Sequence, residues 1–140
     1  MKILFLGTSG MLPTKQRNAQ AVLLSYLEEN ILIDCGEGTQ RQLRKANVSP
    51  TKITKILISH WHADHVLGIP GLMHTIISLD PNKKIEIYGP KNTKKNISLM
   101  FKPFNQSKIK NVIIKEIIKE GLFLKTKNLF LIVYKLLNCR

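Results

Sequence analysis

The chain has 140 residues, and 22 Lys and Arg against 9 Asp and Glu give it a formal charge of +13. That length suits one domain with a modest core, no apolar run approaches a membrane span, the apolar start is too short for a secretory leader, and two cysteines are too few for a disulfide framework, so a cytoplasmic globular protein is expected. The positive excess would draw polyanions such as RNA, although the abundance of Ile and Asn beside Lys equally fits an AT-rich coding bias.

Residues 2–6 read as a buried strand, and residues 7–10 as a small-residue turn after it. The hexapeptide PTKQRN at 13–18 is a polar, basic loop leading to an apolar strand at 21–26. In that loop Arg17 offers a planar fork and Lys15 a point charge for phosphate; a solvated connection is the other reading. Residues 28–30 make a turn and 31–34 another strand, so 20–34 form a hairpin. The stretch CGEGTQ at 35–40 breaks the pattern, and Thr39 suits the N-cap of a helix over 40–46. Asp34, at a strand end, is either an acceptor for a ligand histidine or a turn carboxylate.

Pro50 leads into an apolar strand at 53–58, and directly after it stands Ser59-His60-Trp61-His62-Ala63-Asp64-His65. Three of the four histidines and one of the three aspartates fall within six residues there, which is a metal-ligand pattern at the carboxyl end of a strand. On extended backbone residues i and i+2 point the same way, so His60 and His62 can reach one ion while the following turn aims Asp64 and His65 at a second. Imidazole suits a borderline-soft ion such as zinc, and a carboxylate among them can take a proton from an attacking water.

Residues 68–71 turn into a packed helix over 71–79, stopped by Asp80-Pro81-Asn82; His74 on that helix reads as structural. A strand at 85–88 and a lysine-rich helix over 92–101 follow, within a stretch from 81 to 110 that holds eight lysines and one acid. Three more strands are expected at 112–118, where a helix is the alternative, at 122–125 and at 129–134, with a turn at Lys127-Asn128. There is no internal repeat and no low-complexity linker, so residues 1–140 read as a single domain.

These motifs resemble those of the metallo-β-lactamase superfamily, and within it the ribonuclease Z family, endonucleases that remove 3′ trailers from precursor tRNA. His60-Trp61-His62-Ala63-Asp64-His65 is similar to the HxHxDH motif, residues 13–18 to the PxKxRN loop, and residues 34–40 to the DCGEGTQ stretch. The resemblance implies an α/β chain that is the N-terminal half of an αββα sandwich, a mixed sheet with helices on one face. It also implies that His60 and His62 bind one Zn2+ and Asp64 and His65 another. Asp64 would take the proton of the attacking water, and Lys15, Arg17 and Asn18 would bind the tRNA end.

Members of that family are longer, and their second half supplies further histidine and aspartate ligands. Here no aspartate follows Asp80, no histidine follows His74, and the sequence reads Leu136-Leu137-Asn138-Cys139-Arg140 where another ligand would be sought. A catalytic zinc usually takes about three protein ligands plus water, so two per ion leave both sites short. The resemblance therefore implies a truncated or split domain that works with precursor tRNA as a homodimer or beside a complementary second-half chain. The alternative is a catalytically inactive basic remnant that binds tRNA or dimerises with a complete relative.

Overall fold

In the computed structural model, residues 1–104, 111–125 and 130–133 are described. The apolar runs form the strands β1 (Lys2–Gly7), β2 (Ala21–Tyr26), β3 (Glu29–Ile33), β4 (Lys55–Leu57), β5 (Ile85–Gly89) and β6 (Val112–Glu116), joined in that order into one six-stranded sheet. The first three strands pair antiparallel and the last four parallel, with β3 common to both parts. Parallel pairing needs a crossover, and each crossover carries a helix: α1 (Thr39–Lys45) between β3 and β4, α2 (Ala63–Val66) with α3 (Ile69–Leu79) between β4 and β5, and α4 (Thr93–Phe101) between β5 and β6. A separate antiparallel hairpin joins β7 (Gly121–Lys125) to β8 (Phe130–Val133).

Because side chains alternate across a strand, the register fixes two faces. Leu4, Leu23, Leu32, Ile56, Ile87 and Ile114 are successive partners across all six strands, and all belong to one core. Leu43 of α1, Leu72, Met73 and Ile76 of α3, and Ile97 and Phe101 of α4 join the same core, so the helices cover this one face, as the sequence led us to expect. Each fully buried aliphatic there contributes about 1.5–3 kcal/mol relative to exposure. The opposite face carries Ile3, Phe5, Lys55, Leu57, Glu86, Tyr88 and Ile113; Ile3, Phe5 and Ile113 are 52%, 67% and 49% exposed on it.

Four expectations are adjusted. Thr39 is the first residue of α1 and not its cap: Gly38, at φ 79, holds the cap position, and the Thr39 hydroxyl donates to the Gly36 carbonyl at 2.7 Å. β4 is shorter than 53–58, because a 3-10 turn at Pro50–Lys52 delivers Ile53 to the core before the strand starts. The histidine loop contains a single helical turn, and α3 begins at Ile69 with Pro70 in its first turn, where a missing N–H costs nothing. The strand expected at 112–118 forms, its helical alternative does not, and it ends earlier, at Glu116. The expected turn at Lys127-Asn128 and the segment from 134 to Arg140, Cys139 included, lie outside the described residues. Among the described residues no helix is long and apolar enough to cross a membrane.

Candidate metal centre

The site lies at the carboxyl ends of β3 and β4, neighbouring parallel strands. Asp34 follows β3 at φ 56, a left-handed conformation that aspartate tolerates better than most residues, and its N–H donates to the Leu57 carbonyl at 2.8 Å. Ile58 continues β4 with a 2.7 Å bond to the Tyr88 carbonyl, and Ser59 then starts the loop. His62 sits in extended backbone as the N-cap of α2, whose one turn carries Asp64 and His65.

Asp34 is 4% exposed and anchors this loop with both oxygens. Oδ1 accepts the Ser59 N–H at 2.8 Å; Oδ2 accepts the Ser59 hydroxyl at 2.8 Å and Nδ1 of His65 at 2.7 Å. A carboxylate only accepts, so the proton of this bond is on Nδ1 of His65, and Nε2 is the nitrogen turned away from Asp34. The Ser59 hydroxyl has spent its one hydrogen on Asp34, so Nδ1 of His60, 3.0 Å away, donates to it and likewise frees Nε2. Asp34 thus accepts from a histidine and, through Ser59, also serves as a turn carboxylate.

The three imidazoles form one cluster. His60 stands 4.4 Å from His62 and 4.1 Å from His65 between ring centroids. Partial burial, then repulsion from the His65 and His62 rings when these are protonated, hold His60 below the ordinary histidine value, which favours its neutral, ligating form. Asp64 Oδ2 lies 3.4 Å from Nε2 of His65. That contact is an ion pair when the ring is protonated, and when Nε2 has lost its proton it joins two acceptors that a cation would reconcile. Two donors bound at about 2.05 Å to one tetrahedral zinc stand ~3.3 Å apart, so this pair suits such an ion. Among the described residues no group of three or more His, Cys, Asp or Glu side chains is placed to hold a metal.

The loop is packed tightly onto its neighbours. The Cys35 N–H donates to the His65 carbonyl at 2.7 Å, and the Gly68 N–H to the Cys35 carbonyl at 2.9 Å. A Cβ on Gly36 would meet the Asp64 carbonyl oxygen at 2.3 Å, and one on Gly68 would meet the Gly36 carbonyl oxygen at 2.1 Å, so only glycine allows this approach. On the far side the Trp61 indole donates to the Thr93 hydroxyl at 3.1 Å, which itself donates to the Pro90 carbonyl at 2.6 Å. That contact ties the loop to the start of α4.

Residues 13–18 form a loop next to α1. The Thr14 hydroxyl accepts the N–H of Arg17 at 2.9 Å, and the Arg17 carbonyl accepts the Thr14 N–H at 2.8 Å, which fixes the tip bearing Lys15 and Arg17. The Asn18 amide donates to the Glu37 carbonyl at 2.6 Å and so links this loop to the stretch after β3. His74 sits on the exposed side of α3, outside the histidine cluster. Ser59 and Trp61 were not singled out from sequence. Adjacency to His60 was the available signal, but their partners Asp34 and Thr93 are distant in the chain.

The family described as Anti-Pycsar protein Apyc1 matches residues 1–120. Ribonuclease Z of Thermococcus kodakarensis is 50% identical over 93 residues, 66% of this chain and 30% of that one. Ribonuclease Z of Methanosarcina mazei is 48% identical over 94 residues, 67% of this chain and 31% of that one. The matched part thus spans under a third of these curated relatives. Human tRNase Z, short form, superimposes with a TM-score of 0.76 at 40% identity over 85% of this chain and 46% of that one. The metallo-β-lactamase fold protein YhfI from Bacillus subtilis shares the fold, with a TM-score of 0.64 at 22% identity over 85% of this chain and 46% of that one. The chain has the metallo-β-lactamase fold, is similar over about two thirds of its length to proteins named Ribonuclease Z, and belongs to the family described as Anti-Pycsar protein Apyc1.

Proposed function

We propose that this chain contributes the histidine-rich half of a ribonuclease Z-like zinc phosphodiesterase, which removes the 3′ trailer from precursor tRNA and leaves a 3′-hydroxyl. The observation that carries the reading is the gathering of Asp64 and His65, 3.4 Å apart between Oδ2 and Nε2, beside two further imidazoles. The relatives named Ribonuclease Z and the likeness to human tRNase Z support the reaction class. In this reading His60 and His62 hold one Zn2+ and Asp64 and His65 the other. Bound ions of this kind lower the pKa of water and offset charge on the phosphate.

Asp64 takes the proton of the attacking water, and Asp34 with Ser59 keeps the ring lone pairs turned outward. Lys15 and Arg17 hold phosphates of the RNA end, beside Asn18, which anchors their loop. The donors that complete each ion come from outside the described residues, on a second copy of this chain or on a complementary chain. Incubating the chain with zinc and a precursor tRNA, alone and with a complementary second-half chain, tests this. Trailer release with a 3′-hydroxyl in either mixture is expected, and intact precursor in both would refute the proposal.

A second reading rests on the lack of a three-donor group among the described residues and on the +13 charge. In it the chain is an inactive basic protein that binds tRNA or pairs with a complete relative. Calorimetric zinc titration separates the two, since two tightly held ions per chain contradict this second reading.

A further inference from the structure

The exposed face of α1 carries Arg41, Arg44 and Lys45, and it stands between two concavities. One, of about 430 Å³, lies between α1 and the 13–18 loop and is lined by Lys15, Arg17, Arg41 and Lys45 together with Thr8 and Thr14; no carboxylate lines it. The other, of about 600 Å³, lies between α1 and the start of α3 and is lined by Arg41, Arg44, Gln40 and Glu37 with Leu67 and Gly68. Arg41 lines both, so the basic surface continues over the helix, and Gly68 brings its second end to the histidine loop.

The placement of these cations argues for a ligand. Arg44 and Lys45 are in the last turn of α1, where positive charge favours the helix dipole. Arg41 is in the first turn, where it opposes the dipole, and no acidic residue accompanies it there. It also stacks over Lys45 at i+4, a like-charge pair that costs a helix about 0.2–0.5 kcal/mol. Among the described residues none of Lys15, Arg17, Arg41, Arg44 or Lys45 has a side-chain hydrogen bond or ion pair. Five unpaired cations on two adjoining elements, with the loop tip already fixed by Thr14, describe a surface prepared for an anion that arrives from outside.

We propose that the cleft between α1 and the 13–18 loop binds the sugar-phosphate backbone of RNA, with Arg41 and Lys45 facing Lys15 and Arg17 across it. Arg44 carries the strand onward over α1 toward the histidine loop. The identification of the polyanion as RNA rests on the function proposed above; the anion chemistry does not. Arg41 is the residue whose position the fold alone does not explain. It acts by binding phosphate and has no part in bond cleavage.

The test uses the full chain with EDTA present, so that no cleavage enters, and follows the anisotropy of a fluorescein-labelled single-stranded RNA across a salt series. The double variant Arg41→Gln, Lys45→Gln alters exposed side chains, and circular dichroism checks its fold. It is expected to weaken binding about tenfold at low salt and to flatten the log–log salt slope by ~1.4, as loss of two single-strand phosphate contacts requires. The control Lys94→Gln, Lys95→Gln, on the exposed face of α4 away from both concavities, is expected to leave the slope within error. Equal losses in both variants would mean diffuse attraction to a basic protein and would overturn the proposal, as would an unchanged slope in the α1 variant. Binding of a fluorescein-labelled mononucleotide, with no binding of the RNA, would overturn it in favour of a free nucleotide. A chain that binds RNA through this cleft but never cleaves precursor defeats the nuclease reading alone; one that cleaves while ignoring the α1 variant defeats the cleft alone.

Discussion

Oδ2 of Asp34 lies 2.7 Å from Nδ1 of His65, thirty-one positions along the chain, and that bond sets which nitrogen of the imidazole faces outward. Asp34→Asn keeps the shape and the tolerance for φ 56 but exchanges a charged acceptor for a neutral one. Zinc affinity measured by competition with a chromophoric chelator should fall about tenfold, the lower end of what the loss of such an orienting carboxylate costs. Nitrogen-15 spectra of the metal-free proteins, taken at a pH where the ring is neutral, should show His65 of the variant populating both tautomers, while the parent shows the Nδ1–H form. A variant with the parent's spectrum and affinity would contradict this account of Asp34.

His60 should titrate below 6.5, because partial burial and then its neighbours His65 and His62 disfavour the charged ring. The sign follows from linkage: in the window just below 6.5 the unfolded chain takes up this proton before the folded one. Stability therefore falls as pH drops through that window, and is unaffected by this group above it. The C2 proton of His60, followed by NMR from pH 8 to pH 4, should give a midpoint under 6.5. A midpoint at or above that value would remove the basis for a neutral cluster.

Gly36→Ala and Gly68→Ala each place a methyl group against a backbone carbonyl, at 2.3 and 2.1 Å, where no flexible side chain can yield. Each should destabilise the chain by about 2–3 kcal/mol, at the upper part of the range for overpacking, in urea denaturation followed by circular dichroism. A loss under ~0.5 kcal/mol at both would show that the loops part easily.

On the face of the sheet away from the helices, Lys55 is 6% exposed and its ammonium sits 2.5 Å from Glu29. Glu29→Gln leaves that ammonium without its charged partner and should cost about 1–3 kcal/mol, less than a fully buried pair because Glu29 keeps some contact with water. Lys55→Met removes the charge itself and should come out closer to neutral. If the two denaturation midpoints rank in the reverse order, the pair is a minor surface contact.

Much of this architecture was legible from sequence. Runs such as 21–26 and 31–34 alternate or stay apolar over strand lengths, and the histidines crowd where a strand must end. What escaped reading depends on contacts between distant residues. The single turn at Ala63–Val66 is too short for any period to register, and Thr39 lost the cap position because Gly38 turns the chain one residue earlier. Ser59 gained its role from Asp34, reached only when β3 and β4 align, and Arg41 gained its role from a loop that folds back against α1 from earlier in the chain. Helix positions 41 and 45 look in the sequence like any solvated pair.

The interlocking of residues 18–20, 34–38 and 59–68 through backbone bonds and missing side chains has a further implication for descent and for engineering. None of these segments can be exchanged alone between relatives, because each forms part of the mould in which the next is cast. A chimera that imports the histidine stretch without residues 34–38 would bring the ligands and lose their alignment, so inheritance should keep the three together even where the surrounding sheet diverges.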